Sequence, residues 1–172
     1  MPIEARLLLA IHAHGGAALD GLFRVSHQLG TLPFCAVLVL GAMAWSLRHD
    51  QRREAWLWLG AGVSTYVVQE GLKHLVARPR PALWPALVLQ SGFAFPSGHA
   101  FAAATFYPLL AWTWARARPR EARAAWGTAV LLALFIGFGR LYLGVHWPTD
   151  VLAGWALGAA QTAVVVRSAK SD

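Results

Sequence analysis

Five long apolar stretches, residues 31–47, 55–76, 98–115, 124–143 and 147–166, succeed one another along the chain. Nearly every polar group that interrupts them falls in three short places, residues 73–81, 96–99 and 140–150. Each stretch is close to the roughly 20 residues that a helix needs to cross about 30 Å of hydrocarbon, so the pattern predicts five membrane-spanning helices. Ahead of them, Leu19, Leu22, Phe23, Ser26 and Leu29 recur at helical spacing while Asp20, Arg24 and His27 fall on other faces. That spacing predicts an amphipathic helix lying in the membrane interface. The early apolar run, residues 7–11, is too short for a cleaved signal and is followed by His12, His14 and a Gly pair. The expected fold class is an all-α integral membrane protein: one membrane-embedded domain over residues 1–172, with residues 1–30 as an interfacial segment.

Composition agrees. The chain is 57% hydrophobic and 13% charged, where a soluble domain would carry about 25% charged residues. A net charge of +7 would suit nucleic acid. The basic residues, however, form short clusters between apolar runs instead of one polar face, so membrane lipids are the expected partner and nucleic acid is not. Arg48, Arg52 and Arg53 lie between the first two stretches, Arg116, Arg118, Arg120 and Arg123 between the third and fourth, and Arg167 with Lys170 after the fifth. The positive-inside rule then makes these loops and the C-terminus cytoplasmic and the N-terminus external. Trp45, Trp56, Trp58, Trp112, Trp114 and Trp126 fall near the inner boundary, and Trp84 and Trp147 near the outer one. All three polar stretches therefore meet at the outer face, under a loop broken by Pro79, Pro81, Pro85 and Gly92 that is expected to form a partly ordered cap. Cys35 is the single cysteine and lies within an apolar stretch, lipid-facing or packed.

Charged groups at membrane depth cost about 2.5–3.5 kcal/mol each on insertion scales unless a partner compensates. Lys73, Arg80 and Arg140 gathered at one face therefore imply an anion. A phosphate or diphosphate terminus fits, because Arg meets it with a fork of donors and Lys with a point charge. Ser97 and Gly98 open a helix after Pro96, so their backbone N–H groups are expected to point at the same anion. His146 and Asp150 are four residues apart and share a helix face, where the carboxylate can hold one ring nitrogen protonated and make the other more basic.

These residues resemble the type 2 phosphatidic acid phosphatases, membrane relatives of the vanadium haloperoxidases. Lys73, six residues, then Arg80 and Pro81 match the first family motif; Pro96, Ser97, Gly98 and His99 match the second; Arg140, His146 and Asp150 match the third, with Gly139 where the family usually has Ser. The resemblance implies a hydrolase that removes phosphate from a lipid and needs no cofactor or metal. It implies that His146 is the nucleophile and forms a phosphohistidine, that Asp150 orients it, and that His99 protonates the leaving oxygen and later activates water. Lys73, Arg80, Ser97, Gly98 and Arg140 would bind the phosphate. The setting expected is a bacterial cytoplasmic (inner) membrane with the site facing outward. Undecaprenyl diphosphate, phosphatidylglycerol phosphate and phosphatidic acid all present the reacting group, and analogy inclines toward the first.

Neighbouring residues offer other readings. Arg78 with Pro79 is a competing Arg-Pro pair, but the longer spacing to Arg80 matches the motif. Glu70 is either the helical partner of Lys73 or a group orienting it. His74 points about 100° around the helix from Lys73, and His12, His14, His27 and His49 receive no role. No His-Glu-x-x-His or P-loop pattern occurs. The alternative class is a non-catalytic phosphate-binding transporter or receptor; a transporter would carry repeated halves with broken helices and a midplane site, and no such repeat is evident. A soluble haloperoxidase-like enzyme shares the motifs, but the hydropathy argues against it.

Overall fold

The structure, a computed structural model, describes residues 1–169, so Lys170 lies outside the described residues. Those residues form seven α-helices: α1 Ile3–Ala13, α2 Ala17–Leu29, α3 Leu32–Arg48, α4 Arg52–Val76, α5 Gly98–Ala117, α6 Ala122–Tyr142 and α7 Pro148–Ala169. A 3₁₀ turn, Pro119–Glu121, leads into α6.

Local chemistry sets the helix ends that matter for the site. The α4 helix stops at Ala77, which adopts the left-handed conformation (φ 47°) and returns its N–H to the Lys73 carbonyl just before Arg78 and Pro79. The α5 helix starts after Ser97, whose hydroxyl faces the Ala100 N–H at 3.5 Å. Proline, whose missing N–H costs nothing in a first turn, is the first residue of α7, and two residues later the Asp150 carboxylate accepts the Trp147 N–H at 2.8 Å, as in a capping box.

The α5 helix is the hub, packed most closely against α6 and α7. Its alanines at 100, 102, 103 and 104 are all buried. They let α7 approach so closely that a Cβ on Gly158 would lie 2.5 Å from Ala104 Cβ and 2.7 Å from the Phe101 carbonyl. A second apolar cluster joins α3, α4 and α5 through Val39, Trp58 and Phe106, and a third ties α2 to the end of α6 through Phe23, Tyr142 and Leu143. Outward, Val37, Leu40, Val63, Val67, Leu131, Leu134 and Val164 stay exposed. Such a belt suits lipid tails, not water.

Long helices fall where the five apolar stretches were expected, yet among the described residues length and composition single out two as able to cross a membrane: Pro119–Tyr142, which includes the turn before α6, and Pro148–Ala169. The α2 and α3 helices, bent by 48° at their junction, would together make a third. On its own α3 has 17 residues, short for a span. Charges at both ends dilute α4, and α5, enclosed by its neighbours, is rich in alanine instead of large apolar residues.

The N-terminal segment differs from the single interfacial helix that its spacing predicts. It is two helices, and α2 turns part of its apolar set, Phe23 and Ser26, and part of its polar set into the protein. Leu19, Leu22 and Val25 are exposed, while Asp20 accepts a hydrogen bond from the Tyr142 hydroxyl at 2.6 Å and His27 one from Arg140 at 2.7 Å. Polar groups that find protein partners turn inward, and apolar ones are left for lipid.

Because Gly158 faces backbone as well as a side chain, Gly158→Leu should lower stability by about 1–3 kcal/mol through overpacking. Gly127→Ala, which meets open space inside α6, should not lower it and should raise it by up to about 1 kcal/mol. Thermal unfolding in detergent checks both; equal melting temperatures would contradict the packing described.

Candidate active site

Three chain ends converge on one pocket: the C-terminus of α4 with the loop after it, the N-terminus of α5, and the turn between α6 and α7. The resulting cavity holds about 490 Å³. Lys73, Arg80, Gly98, His99 and His146 line its polar end; Val39, Val63, Tyr66 and Phe106 of α3, α4 and α5 line the rest. Arg140, Ser97 and Asp150, all 0% exposed, lie behind that surface. The sequence-predicted residues are thus brought together, though not all in the roles expected.

Asp150 ties the pieces. Its Oδ1 accepts from Arg78 Nη1 at 2.7 Å, its Oδ2 accepts from Trp147 N, and its backbone carbonyl accepts from Ser97 N at 3.0 Å. Its Oδ2 also lies 3.6 Å from His146 Nδ1, an ion-pair distance that is too long for a hydrogen bond. On the other side of the ring, His146 Nε2 faces Arg80 Nη1 at 3.1 Å. A guanidinium only donates, so this contact assigns Nε2 as the unprotonated nitrogen and places the ring proton on Nδ1, toward Asp150. Burial pushes the His146 imidazole down to about 4, helped by Arg140 and Arg80 and opposed by Asp150. The ring is therefore neutral at neutral pH, with its lone pair on the cavity side.

Each of the three expected cations has a partner of its own. Arg80 spends all five donors: Nε on Gly92 O, Nη2 on Ser91 O and Phe93 O, Nη1 on Val145 O and His146 Nε2. A bidentate grip on phosphate therefore requires it to release loop carbonyls. Lys73 is ion-paired with Glu70 at 2.7 Å, which makes Glu70 its helical partner. Arg140 gives Nη1 to His27 Nδ1 at 2.7 Å and Nη2 to Gln90 Oε1 at 2.9 Å, while its Nε is buried without a partner.

Ser97 departs from expectation. Its N–H is taken by the Asp150 carbonyl, so that donor serves to join α5 to α7 and does not point at an anion. Of the two residues, Gly98 is the one on the cavity wall. At Gly139 a Cβ would collide with the Ser26 hydroxyl, so a hydroxyl from α2 fills the space where the family's Ser side chain would start.

Several participants escaped the sequence reading. Arg78, set aside in favour of Arg80, bridges Asp150 to Glu4 of α1 at 2.5 Å and also bonds Thr149 Oγ1. Its Arg-Pro context two residues before Arg80 was the available signal. Glu4 in turn accepts from Thr149 N and Oγ1. His27 sits four residues after Phe23 and three before Gly30, on the inward face of α2, a spacing that could have flagged it. Gln90, in the cap, gave no signal. His74 turns away to meet the edge of the Phe93 ring. The cap itself is irregular but anchored, with Trp147 Nε1 on the Pro79 carbonyl, Ala94 N on Arg78 O and Trp84 stacked on His12.

Comparison with known proteins gives the same direction. Phosphatidylglycerophosphatase B of Bacillus subtilis (strain 168) is 41% identical over 134 residues, 76% of this chain and 66% of that protein. The undecaprenyl-diphosphatase of Sulfolobus acidocaldarius is 32% identical over 102 residues, 56% of this chain. The matched segments thus span just under two thirds of the first relative's length and 46% of the second's. A crystal structure of a transmembrane PAP2-type phosphatidylglycerolphosphate phosphatase from Bacillus subtilis superposes with a TM-score of 0.84 at 27% identity, covering 96% of this chain and 83% of that one. The PAP2 superfamily model matches residues 54–171, a segment that contains every motif residue from Lys73 to Asp150, and the chain belongs to that superfamily.

Proposed function

We propose that this protein is a membrane lipid phosphatase that acts through a phosphohistidine at His146, with its site at the outer face of a bacterial cytoplasmic membrane. The observation that carries the reading is the continuity of the cavity: one end presents a neutral imidazole lone pair beside cations, and the other runs apolar between α3, α4 and α5. A lipid phosphate has this same division of polarity. The names of the two relatives support a phosphate or diphosphate on a glycerol or prenyl lipid; the more similar one is named for phosphatidylglycerophosphate. In this reading α3 to α7 make five crossings, with the C-terminus cytoplasmic and the cap outside, as the distribution of arginines favours.

The chemistry proceeds in two displacements. His146 Nε2 attacks phosphorus as the phosphate takes over some of the Arg80 donors; the N–P bond forms, the bond from phosphorus to the lipid-side oxygen breaks, and protonated His99 gives that oxygen its proton. His99, now neutral, then takes a proton from water, whose oxygen attacks phosphorus and breaks the N–P bond. Lys73, Arg80 and Arg140 hold the charge on the transferring group throughout, the positioning and electrostatic work that phosphoryl transfer mostly needs.

His146→Ala should lower turnover of a lipid phosphate by about 10⁴-fold or more, and quenching with labelled substrate should leave label on His146. Label on His99 would reverse the two roles. Because cations of the chain do the neutralising, turnover should survive excess chelator; loss restored by a divalent ion would contradict this. Asp150 raises the pKa of His146, so Asp150→Asn should move the acid limb of the kcat/KM profile to lower pH while reducing kcat. A limb that moved upward would refute that role. Phosphate binding with zero turnover of phosphatidylglycerol phosphate, undecaprenyl diphosphate and phosphatidic acid would favour the transporter or receptor reading instead.

A further inference from the structure

His27 belongs to none of the three motifs, yet it touches two of the groups that the site depends on. Its Nδ1 accepts from Arg140 Nη1 at 2.7 Å. Its ring stacks on the His99 ring, with centroids 4.9 Å apart and planes 16° from parallel. Three residues on, Gly30 closes the same corner, where a Cβ would lie 2.6 Å from His99 Cδ2.

The consequences follow from donor and acceptor bookkeeping. An Nδ1 that accepts from a guanidinium carries no proton, so His27 is neutral with its proton on Nε2. Arg140 is 0% exposed, and both of its Nη groups are held by neutral acceptors, His27 and Gln90. A carboxylate at either place would orient the guanidinium equally well but would cancel its charge and compete with phosphate. Neutral partners aim it and leave the charge available, and its unpartnered buried Nε is a donor that still awaits an acceptor. His99 Nε2 is also buried without a partner. That nitrogen is left open for proton transfer.

We propose that His27 is a positioning residue of this site: a neutral acceptor that aims Arg140 at the phosphate while its stacked ring fixes the plane of His99. The His99 half rests on the lipid phosphatase reading. The Arg140 half does not, because it can be read from anion binding alone.

Three variants separate the two halves. His27→Phe keeps a ring to stack but loses the acceptor; His27→Asn keeps an acceptor near the Nδ1 position but loses the ring; His27→Ala loses both. In purified full-length protein, orthovanadate affinity should fall about tenfold or more in His27→Phe and His27→Ala, the size of one charge-assisted hydrogen bond. His27→Asn should bind vanadate within a few fold of the parent yet show a reduced kcat on lipid phosphate, a split that general loosening of the fold would not produce. Vanadate bound equally by His27→Phe and the parent would overturn the proposal. So would equal losses in His27→Asn and His27→Ala, a comparison that still decides the matter if His27→Phe does not fold. A parent that binds vanadate but hydrolyses no lipid phosphate would remove the phosphatase reading while leaving the Arg140 comparison valid; a parent that binds no vanadate would remove both.

Discussion

Asp150 is where the separate polar parts of this chain become one site. It is fully buried, and its carboxylate and carbonyl accept from Arg78 after α4, from Trp147 at the start of α7 and from Ser97 at the start of α5, with His146 Nδ1 at 3.6 Å. A buried carboxylate left without donors would cost several kcal/mol. Each of these contacts lowers that cost, and each fixes one chain end. The helices converge because their termini share an ion, and the cavity is the space left between them.

The cations around that space sort by partner. Arg78 and Lys73 face carboxylates, Asp150 with Glu4 and Glu70 respectively. Arg80 and Arg140 are held by carbonyls, an amide and imidazoles, none of which carries a compensating charge. Two guanidiniums with neutral acceptors keep their attraction for an anion, and that attraction is strongest where water is excluded. The same two push His146 toward its neutral form, which a nucleophile requires. One arrangement therefore serves both anion binding and nucleophile preparation.

Much of this was legible in the sequence, because the motifs consist of residue types that are costly at membrane depth and so stand out against apolar runs. The end of α4 at Val76 and the start of α5 at Gly98 follow from turn and cap chemistry. What sequence spacing obscured was direction. Leu19 and Leu22 stay exposed, as an interfacial helix leaves them, but Phe23 and Ser26 of the same set are buried, and Asp20 and His27 turn in to Tyr142 and Arg140. Ser97 sits at a helix start, yet its N–H is used by Asp150, a partner 53 positions away that no local pattern indicates. The five-donor use of Arg80 depends on carbonyls of the cap, whose path has no periodic signal.

These termini are proposed to form one anion site around the His146 lone pair. In a structure of the full-length protein with vanadate bound, vanadium is expected on His146 Nε2, its oxygens within hydrogen-bond reach of Arg80 and Arg140, and Arg80 released from at least one cap carbonyl. Vanadate bound elsewhere, with Arg80 still covering Nε2, would contradict it.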